Sequence, residues 1–190
     1  MKIKNNVLLK VEKKDIKHGT CFIPDNVKKI GKNAFEELKI KFINIPKTVT
    51  CIEEGAFSDC IKLKAINIPN SVTRIGRVAF ANCNNLIKKG KYTTCNIIRD
   101  GDNITYSCCG TEYVTGKQMP VIDDIECHQR GYHYCENLYD IFNYYYGDLN
   151  DIALCEVEPG DIIEYWRDSY RVTNTFKIKK LIPWNEAFNS

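Results

Sequence analysis

Residues 66–86 read INIPNSVTRIGRVAFANCNNL. The stretch opens with alternating apolar and polar residues, and then a proline, a Ser-Val-Thr run, an Ile-Gly pair, an Ala-Phe pair and a cysteine follow in order. An apolar residue at every second position is typical of a short strand with one buried face. Proline ends such a strand because it has no N–H to donate. The stretch therefore predicts a strand followed by turns.

The same order of residues occurs twice more, in residues 21–38 and 43–63. Successive units are offset by 22 and then by 23 residues. The matching positions are Pro24, Pro46 and Pro69; Val27, Val49 and Val72; Ile30, Ile52 and Ile75; and Phe35, Phe57 and Phe80. A fixed period of this length predicts a solenoid whose stacked coils bury matching residues in register. We therefore expect the three phenylalanines to form one column.

The three units resemble the BspA-like leucine-rich repeats of bacteria, whose pattern is I-x-I-P-x-S-V-T-x-I-G-x-x-A-F-x-x-C-x-x-L. The resemblance covers roughly residues 21–87. It implies a short solenoid of three coils that binds a partner and performs no catalysis. The candidates for binding the partner are the polar residues on the strand side, which are Lys41, Asn44, Lys64 and Asn67. The alternative is that these residues form an ordinary solvated face.

Charge is distributed unevenly along the chain. Residues 1–99 carry 20 Lys and Arg against 8 Asp and Glu, whereas residues 100–190 carry 7 against 16. This break predicts two units, which either attract each other or offer a charged face to a partner of opposite sign. We expect an α+β chain with an N-terminal cap in residues 1–20, leucine-rich repeats in 21–90 and a small α+β domain in 91–190.

The composition favours a cytoplasmic protein. No apolar run approaches the roughly 18 residues of a membrane-spanning helix, and the N-terminal residues lack the long apolar core of a signal peptide. We therefore expect the ten cysteines to be reduced and no part of the chain to enter a membrane.

One helix is expected in the second half, between Asn137, which can cap it, and Gly147, which can end it. The apolar residues at helical spacing are Leu138, Ile141, Phe142 and Tyr145. Strands are expected around this helix, including residues 152–157. A further strand pair is expected to place three side chains inward: Val172, Phe176 and Ile178.

Three consecutive tyrosines, Tyr144, Tyr145 and Tyr146, cannot all face the core from one helix. Exposed tyrosines are favoured at protein interfaces, so these side chains are candidates for binding a partner. Packing against the repeats is the alternative. Direct nucleic-acid binding is not expected, because the acidic second half lacks basic residues between its aromatic ones.

Zinc is one chemical alternative for the second half. Cys127, His128, His133 and Cys135 carry suitable ligand atoms. Their spacing differs from the usual sites, in which paired ligands are separated by two to four residues. A strand would place His133 and Cys135 on one face, which supplies two ligands rather than four. No local nucleophile motif accompanies any cysteine, and we assign no catalytic residue.

Residues 131–165 resemble the ADP-ribosyltransferase segment in which a Gly-apolar-Tyr-Phe-Ala strand precedes a helix and an L-x-E-V-x-x-G strand. The resemblance implies that Gly131, His133 and Tyr134 contact NAD, with His133 where the family places the aromatic residue that faces the nicotinamide ring. The catalytic glutamate of the family would fall near Ser169. Because serine cannot supply the negative charge, the resemblance implies a degenerate version of that fold.

The same segment is also similar to an uncharacterised domain of bacterial and phage proteins. We therefore predict a non-enzymatic protein-binding module without a cofactor, for instance a phage or mobile-element protein that binds and inhibits a host defence protein. The alternatives are a degenerate NAD-binding domain similar to ADP-ribosyltransferases and a structural zinc protein.

Overall fold

A computed structural model describes residues 1–100, 102–108, 111–112, 115–116, 118–119, 132–145, 147–160, 163–165, 170–173 and 175–189. The chain forms two compact units. Unit 1 consists of Met1–Ile87, Phe142–Leu149 and Asn185–Ser190, and unit 2 consists of Lys88–Ile141 and Asn150–Trp184.

Most regular structure in the described part is strand. In chain order the strands are β1 (Lys2–Lys4), β2 (Val7–Lys10), β3 (Ile16–Lys17), β4 (Thr20–Cys21), β5 (Lys29–Ile30), β6 (Phe42–Asn44), β7 (Cys51–Ile52), β8 (Ala65–Asn67), β9 (Arg74–Ile75), β10 (Lys89–Asp100), β11 (Asn103–Cys108), β12 (Thr111–Glu112), β13 (Tyr132–Asn137), β14 (Gly147–Asp148), β15 (Ile152–Pro159), β16 (Ile163–Tyr165), β17 (Tyr170–Thr173) and β18 (Phe176–Ile182). The helices are two 3₁₀-helices, Lys13–Asp15 and Leu138–Asn143, and α1 (Trp184–Asn189). None of these short helices has the length and apolar character needed to span a membrane.

Each repeat contributes one strand to each of two sheets in unit 1. The six-stranded sheet has the order β1-β2-β5-β7-β9-β14, and the four-stranded sheet has the order β3-β4-β6-β8. Strands of successive repeats pair in parallel, so that Ile52 lies between Ile30 and Ile75. The leucine-rich repeats are therefore present. Their described strands remain in two separate sheets, so the expected solenoid is not confirmed as a closed structure.

The phenylalanines of the three repeats form the predicted column. The ring centroids of Phe35 and Phe57 are 4.9 Å apart, and those of Phe57 and Phe80 are 5.7 Å apart. The three rings are at most 2% exposed. In-register stacking of equivalent positions places the same residue type in the same layer of the core, so the prediction of one column is confirmed.

The cysteine of the repeat pattern bonds each coil to the one before it. The Cys60 thiol donates a hydrogen bond to the Phe35 carbonyl oxygen at 3.0 Å, and the Cys83 thiol donates to the Phe57 carbonyl oxygen at 3.0 Å. Burial raises the pKa of Cys60 to about 12, so its sulfur keeps the donated proton at neutral pH. A small side chain with a weak donor fits this position because little space and one acceptor are available.

We expect Cys60→Ala to destabilise the protein by about 1 kcal/mol, through loss of the hydrogen bond and of buried volume. Cys51→Ala is the matched control, because Cys51 is partly exposed on the six-stranded sheet, and its cost should stay below about 0.5 kcal/mol. Urea denaturation of both variants measures the difference. Equal stability of the two variants would show that the thiol does not join the coils.

The segment Phe142–Leu149 covers the last repeat of unit 1. The Val78 N–H donates to the Phe142 carbonyl oxygen at 2.8 Å, and β14 pairs antiparallel with β9. The Phe142 ring packs edge-on against Phe80 at 5.8 Å. This segment satisfies backbone groups that the last coil would otherwise leave open, as a terminal cap of a repeat array must.

The prediction of one helix between Asn137 and Gly147 is wrong in helix type and in length. The helical part is a 3₁₀-helix that ends at Asn143, and Gly147 begins a strand. The helix is short because the Phe142 carbonyl oxygen accepts a hydrogen bond from Val78 and the following residues pair with β9 as β14. Leu138, Ile141 and Phe142 are buried, as their spacing predicts.

The described residues of unit 2 form an antiparallel sheet of eight strands. Its central strand β10 pairs with β11, β13 and β15, and β15 also pairs with β18. Val172, Phe176 and Ile178 are buried, which confirms their predicted direction. The α+β label is not confirmed, because the described part of the chain is mostly strand and its α-helix has six residues.

Candidate functional site

The outer surface of the four-stranded sheet carries one row of equivalent side chains. Thr20 pairs with Phe42 and Phe42 pairs with Ala65, so Phe22, Asn44 and Asn67 occupy the equivalent position two residues later. All three are exposed, since they alternate with buried residues along the chain. The Asn67 side-chain amide donates to the side-chain oxygen of Asn44 at 2.7 Å.

Two phenylalanines of the same sheet surface point into solvent. Phe22 is 79% exposed and Phe42 is 49% exposed. Aromatic residues are enriched at protein interfaces relative to the rest of the protein surface. The two rings thus add exposed apolar area beside the asparagine row.

A groove of about 1010 Å³ runs beside this row. Its lining includes Phe22, Asn44 and Asn67, together with the turns that follow the strands. The turns are held by hydroxyls, because the Thr48 Oγ1 donates to the Val27 carbonyl oxygen at 2.8 Å and the Ser71 Oγ donates to the Val49 carbonyl oxygen at 2.7 Å. The Ser/Thr position of the repeat pattern therefore fixes one wall of the groove.

Two equivalent lysines precede the strands of the row. Lys41 and Lys64 are exposed, and the Lys64 N–H donates to the Lys41 carbonyl oxygen at 2.8 Å. A Cβ on Gly19 would lie 3.0 Å from Cγ and Cδ of Lys41, so the lysine stem lies over the glycine. Neither lysine takes part in an ion pair in the described part of the chain. Their ammonium groups are therefore available to an acidic partner.

We call this surface the repeat face and define it by six residues: Phe22, Lys41, Phe42, Asn44, Lys64 and Asn67. Of the four residues predicted from sequence, the structure pairs Asn44 with Asn67 and Lys41 with Lys64, as two separate pairs. It adds the two phenylalanines, which sequence reasoning missed. The signal for Phe22 was present in the alignment of the repeats, because a phenylalanine stands where the other two coils have asparagine.

The predicted tyrosine cluster is only partly described. Tyr144 and Tyr145 follow the 3₁₀-helix and are partly buried, and Tyr146 lies outside the described residues. Tyr144 and Tyr145 are therefore not displayed on an α-helix. Their role in binding a partner stays a prediction.

The residues of the NAD-binding alternative lie on β13, except Gly131, which is outside the described residues. The His133 ring stacks on Tyr170, with centroids 5.3 Å apart and an interplanar angle of 14°. Tyr134 is fully buried in a core cluster that includes Cys155 and Phe176. The two side chains therefore lie in different surroundings.

Two of the four candidate zinc ligands, Cys127 and His128, also lie outside the described residues. Within the described ranges, no three side chains of the His, Cys, Asp and Glu types form a group that could hold a metal. Cys135 is buried, and this burial raises the pKa of its thiol. The thiol is thus the species present at neutral pH, and a metal at this position would have to displace its proton.

Two families match the chain. The family described as BspA type leucine rich repeat region matches residues 13–138 in six copies, and the family described as domain of unknown function (DUF7666) matches residues 101–190. No curated protein and no solved structure matches. The repeat match extends beyond the three coils recognised in the sequence, whereas parallel pairing in the described part ends at β9. Neither family description names an ADP-ribosyltransferase, so that resemblance gains no support.

Proposed function

Because the chain belongs to the BspA-type leucine-rich-repeat family, we propose that it is a protein-interaction module that binds its partner through the repeat face. Leucine-rich repeats indicate protein binding, since a stack of coils presents one row of side chains on a rigid surface. The observation that carries the choice of face is the exposure of Phe22 and Phe42 beside the bonded pair of Asn44 and Asn67.

The chemistry of the repeat face selects the kind of partner. Aromatic rings at the centre of an interface supply much of its binding energy once they enter pockets on the partner. The lysine pair adds positive charge at the edge, which speeds association with an acidic surface and excludes a basic one. We therefore expect an acidic protein surface with apolar pockets.

Binding should depend on both parts of the repeat face. The partner is captured from a lysate of the source cells, identified by mass spectrometry and purified, and its dissociation constant is then measured by calorimetry. Joint replacement Phe22→Ala and Phe42→Ala should weaken binding by a factor of about 10 or more. The joint replacement Lys41→Glu and Lys64→Glu should also weaken binding, and the loss of affinity should be larger at low salt than at high salt.

The controls change one exposed lysine and one exposed apolar residue elsewhere in unit 1. Lys29→Glu changes an exposed lysine of the six-stranded sheet, and Ile87→Ala removes an apolar side chain that is 58% exposed. Both should bind as the wild type does. The proposal would be contradicted if the phenylalanine pair variant kept its affinity and Lys29→Glu lost it. The interface would then lie on the six-stranded sheet.

The phage or mobile-element origin and the inhibitory role stay predictions. The purified partner provides the test, because its own activity can be measured with and without a stoichiometric amount of this protein. A partner whose activity is unchanged when its surface is saturated would exclude inhibition and leave the binding function in place.

A further inference from the structure

Two cysteine side chains meet inside unit 2. Cys95 lies on β10 and Cys155 on β15, and the antiparallel register pairs Thr93 with Cys155 and Cys95 with Ala153. The two cysteines are thus diagonal neighbours with side chains on the same face of the sheet. Their sulfur atoms are 3.3 Å apart, in hydrogen-bond contact as thiols.

The surroundings of the two sulfurs are apolar. Cys95 is 2% exposed and Cys155 is fully buried, in a cluster with Met119, Val157 and Phe176. An ionised thiolate or a charged metal complex is costly in such a place because no water solvates it. A disulfide carries no charge and occupies less space than two thiols, so it is the product that this core accommodates best.

We propose that Cys95 and Cys155 are a redox modification site that reacts with a small-molecule disulfide and becomes a bond between β10 and β15. Bond formation requires the sulfurs to approach from 3.3 Å to the bond length of about 2.05 Å. Diagonal neighbours of an antiparallel sheet lie roughly 7–8 Å apart, at the upper end of what a disulfide spans, so the bond also requires a local adjustment of the backbones of β10 and β15.

The reaction proceeds in two exchange steps. The thiolate of Cys95 attacks the small disulfide and forms a mixed disulfide, and one small thiol leaves with the proton that Cys95 lost. The thiolate of Cys155 then attacks the Cys95 sulfur, and the second small thiol leaves with the second proton. The two cysteines are oxidised by two electrons, and the small disulfide is reduced by the same two.

Cys95 is the better first nucleophile. The hydrogen bond from Cys155 lowers the pKa of the Cys95 thiol and outweighs the opposite effect of burial. Both sulfurs are closed off from solvent, so the exchange requires a local opening of unit 2. Oxidation is therefore slow in buffer and faster in a low concentration of urea.

The bond would join residues that are 60 positions apart. A cross-link of this length removes conformational freedom from the unfolded chain. We expect the midpoint of thermal unfolding to rise by roughly 10 °C on oxidation. Reduction with dithiothreitol should reverse the rise.

The test uses the full chain, incubated with hydroxyethyl disulfide in low urea and then blocked with iodoacetamide. Cleavage after Lys91, Arg99, Glu136 and Glu156 places Cys95 in the peptide of residues 92–99 and Cys155 in the peptide of residues 137–156. Mass spectrometry should show these two peptides joined, and dithiothreitol should separate them. Recovery of both as alkylated thiols, or of Cys95 joined to another cysteine, would overturn the proposal.

Two variants assign the effect to this pair. Cys155→Ser should abolish the joined peptides and the gain in unfolding midpoint. Cys135→Ser, which alters another buried cysteine of unit 2, should keep both. If either variant fails to fold by circular dichroism, the reversible joining of the two wild-type peptides decides the question alone. A stabilised Cys155→Ser protein would show that other cysteines produce the gain.

Discussion

Replacement of Phe57 by alanine should destabilise the protein by about 3–5 kcal/mol, which is the cost of removing a fully buried phenylalanine. Phe57 is the central ring of the column and contacts Phe35 on one side and Phe80 on the other. Its loss opens a cavity between two coils, and backbone pairing on both sides of the cavity holds the coils apart. Such a loss is a large part of the total stability of a small domain.

The control for this variant is Phe22→Ala, which removes the same side chain from the 79% exposed position on the repeat face. Its stability should remain within about 0.5 kcal/mol of the wild type. Urea denaturation followed by circular dichroism measures both variants. A cost below about 1 kcal/mol for Phe57→Ala would mean that the rings do not form a packed column.

Replacement of Gly76 by alanine should destabilise the protein by up to about 3 kcal/mol. A Cβ at this position would clash with the Glu54 nitrogen and would lie 2.6 Å from the Glu53 carbonyl carbon. Both atoms belong to the backbone of the preceding coil and cannot rotate away. The coils carrying β7 and β9 would have to separate, at the expense of the hydrogen bond from the Gly76 N–H to the Ile52 carbonyl oxygen.

Arg77→Ala is the control for this variant, because Arg77 is the exposed neighbour of Gly76 and its backbone carbonyl oxygen, which the substitution keeps, accepts a hydrogen bond from the Gly55 N–H. Thermal unfolding should show a lower midpoint for Gly76→Ala and an unchanged one for Arg77→Ala. If Gly76→Ala melted at the wild-type temperature, the close approach of the two coils would be refuted.

The repeats could be predicted from sequence because each layer of the stack repeats the same contact. Val27, Val49 and Val72 are buried in equivalent places, as are the isoleucines and phenylalanines of the pattern. A contact that recurs every 22 or 23 residues leaves a periodic signal in the sequence. The outward direction of Asn44 and Asn67 could be predicted from the alternation of apolar and polar residues along β6 and β8.

The cap of the repeats could not be predicted in this way. β14 has two residues, Gly147 and Asp148, and it pairs with β9, which is far away in the chain. The residues before it have helical spacing, and this local pattern favours an α-helix. The tertiary contacts of Phe142 with Val78 and Phe80 prevail over that preference.

Unit 2 was difficult for a related reason. Its central strand β10 pairs with three other strands, and the register of those pairs depends on residues that are distant in sequence. Alternation along one strand indicates which side chains are buried, as for Val172 and Ile178, but it does not indicate the neighbouring strand. The contact between Cys95 and Cys155 depends on such a pairing and therefore leaves no motif.

The central claim is that the coils stack in register, because both the core and the repeat face depend on it. The most direct measurement is magnetisation transfer between aromatic ring protons in a sample labelled only at phenylalanine, with resonances assigned by single substitutions to leucine. In-register stacking predicts cross-peaks from Phe57 to both Phe35 and Phe80, whose ring centroids lie 4.9 and 5.7 Å away. The absence of cross-peaks from Phe57 to both Phe35 and Phe80 would contradict in-register stacking.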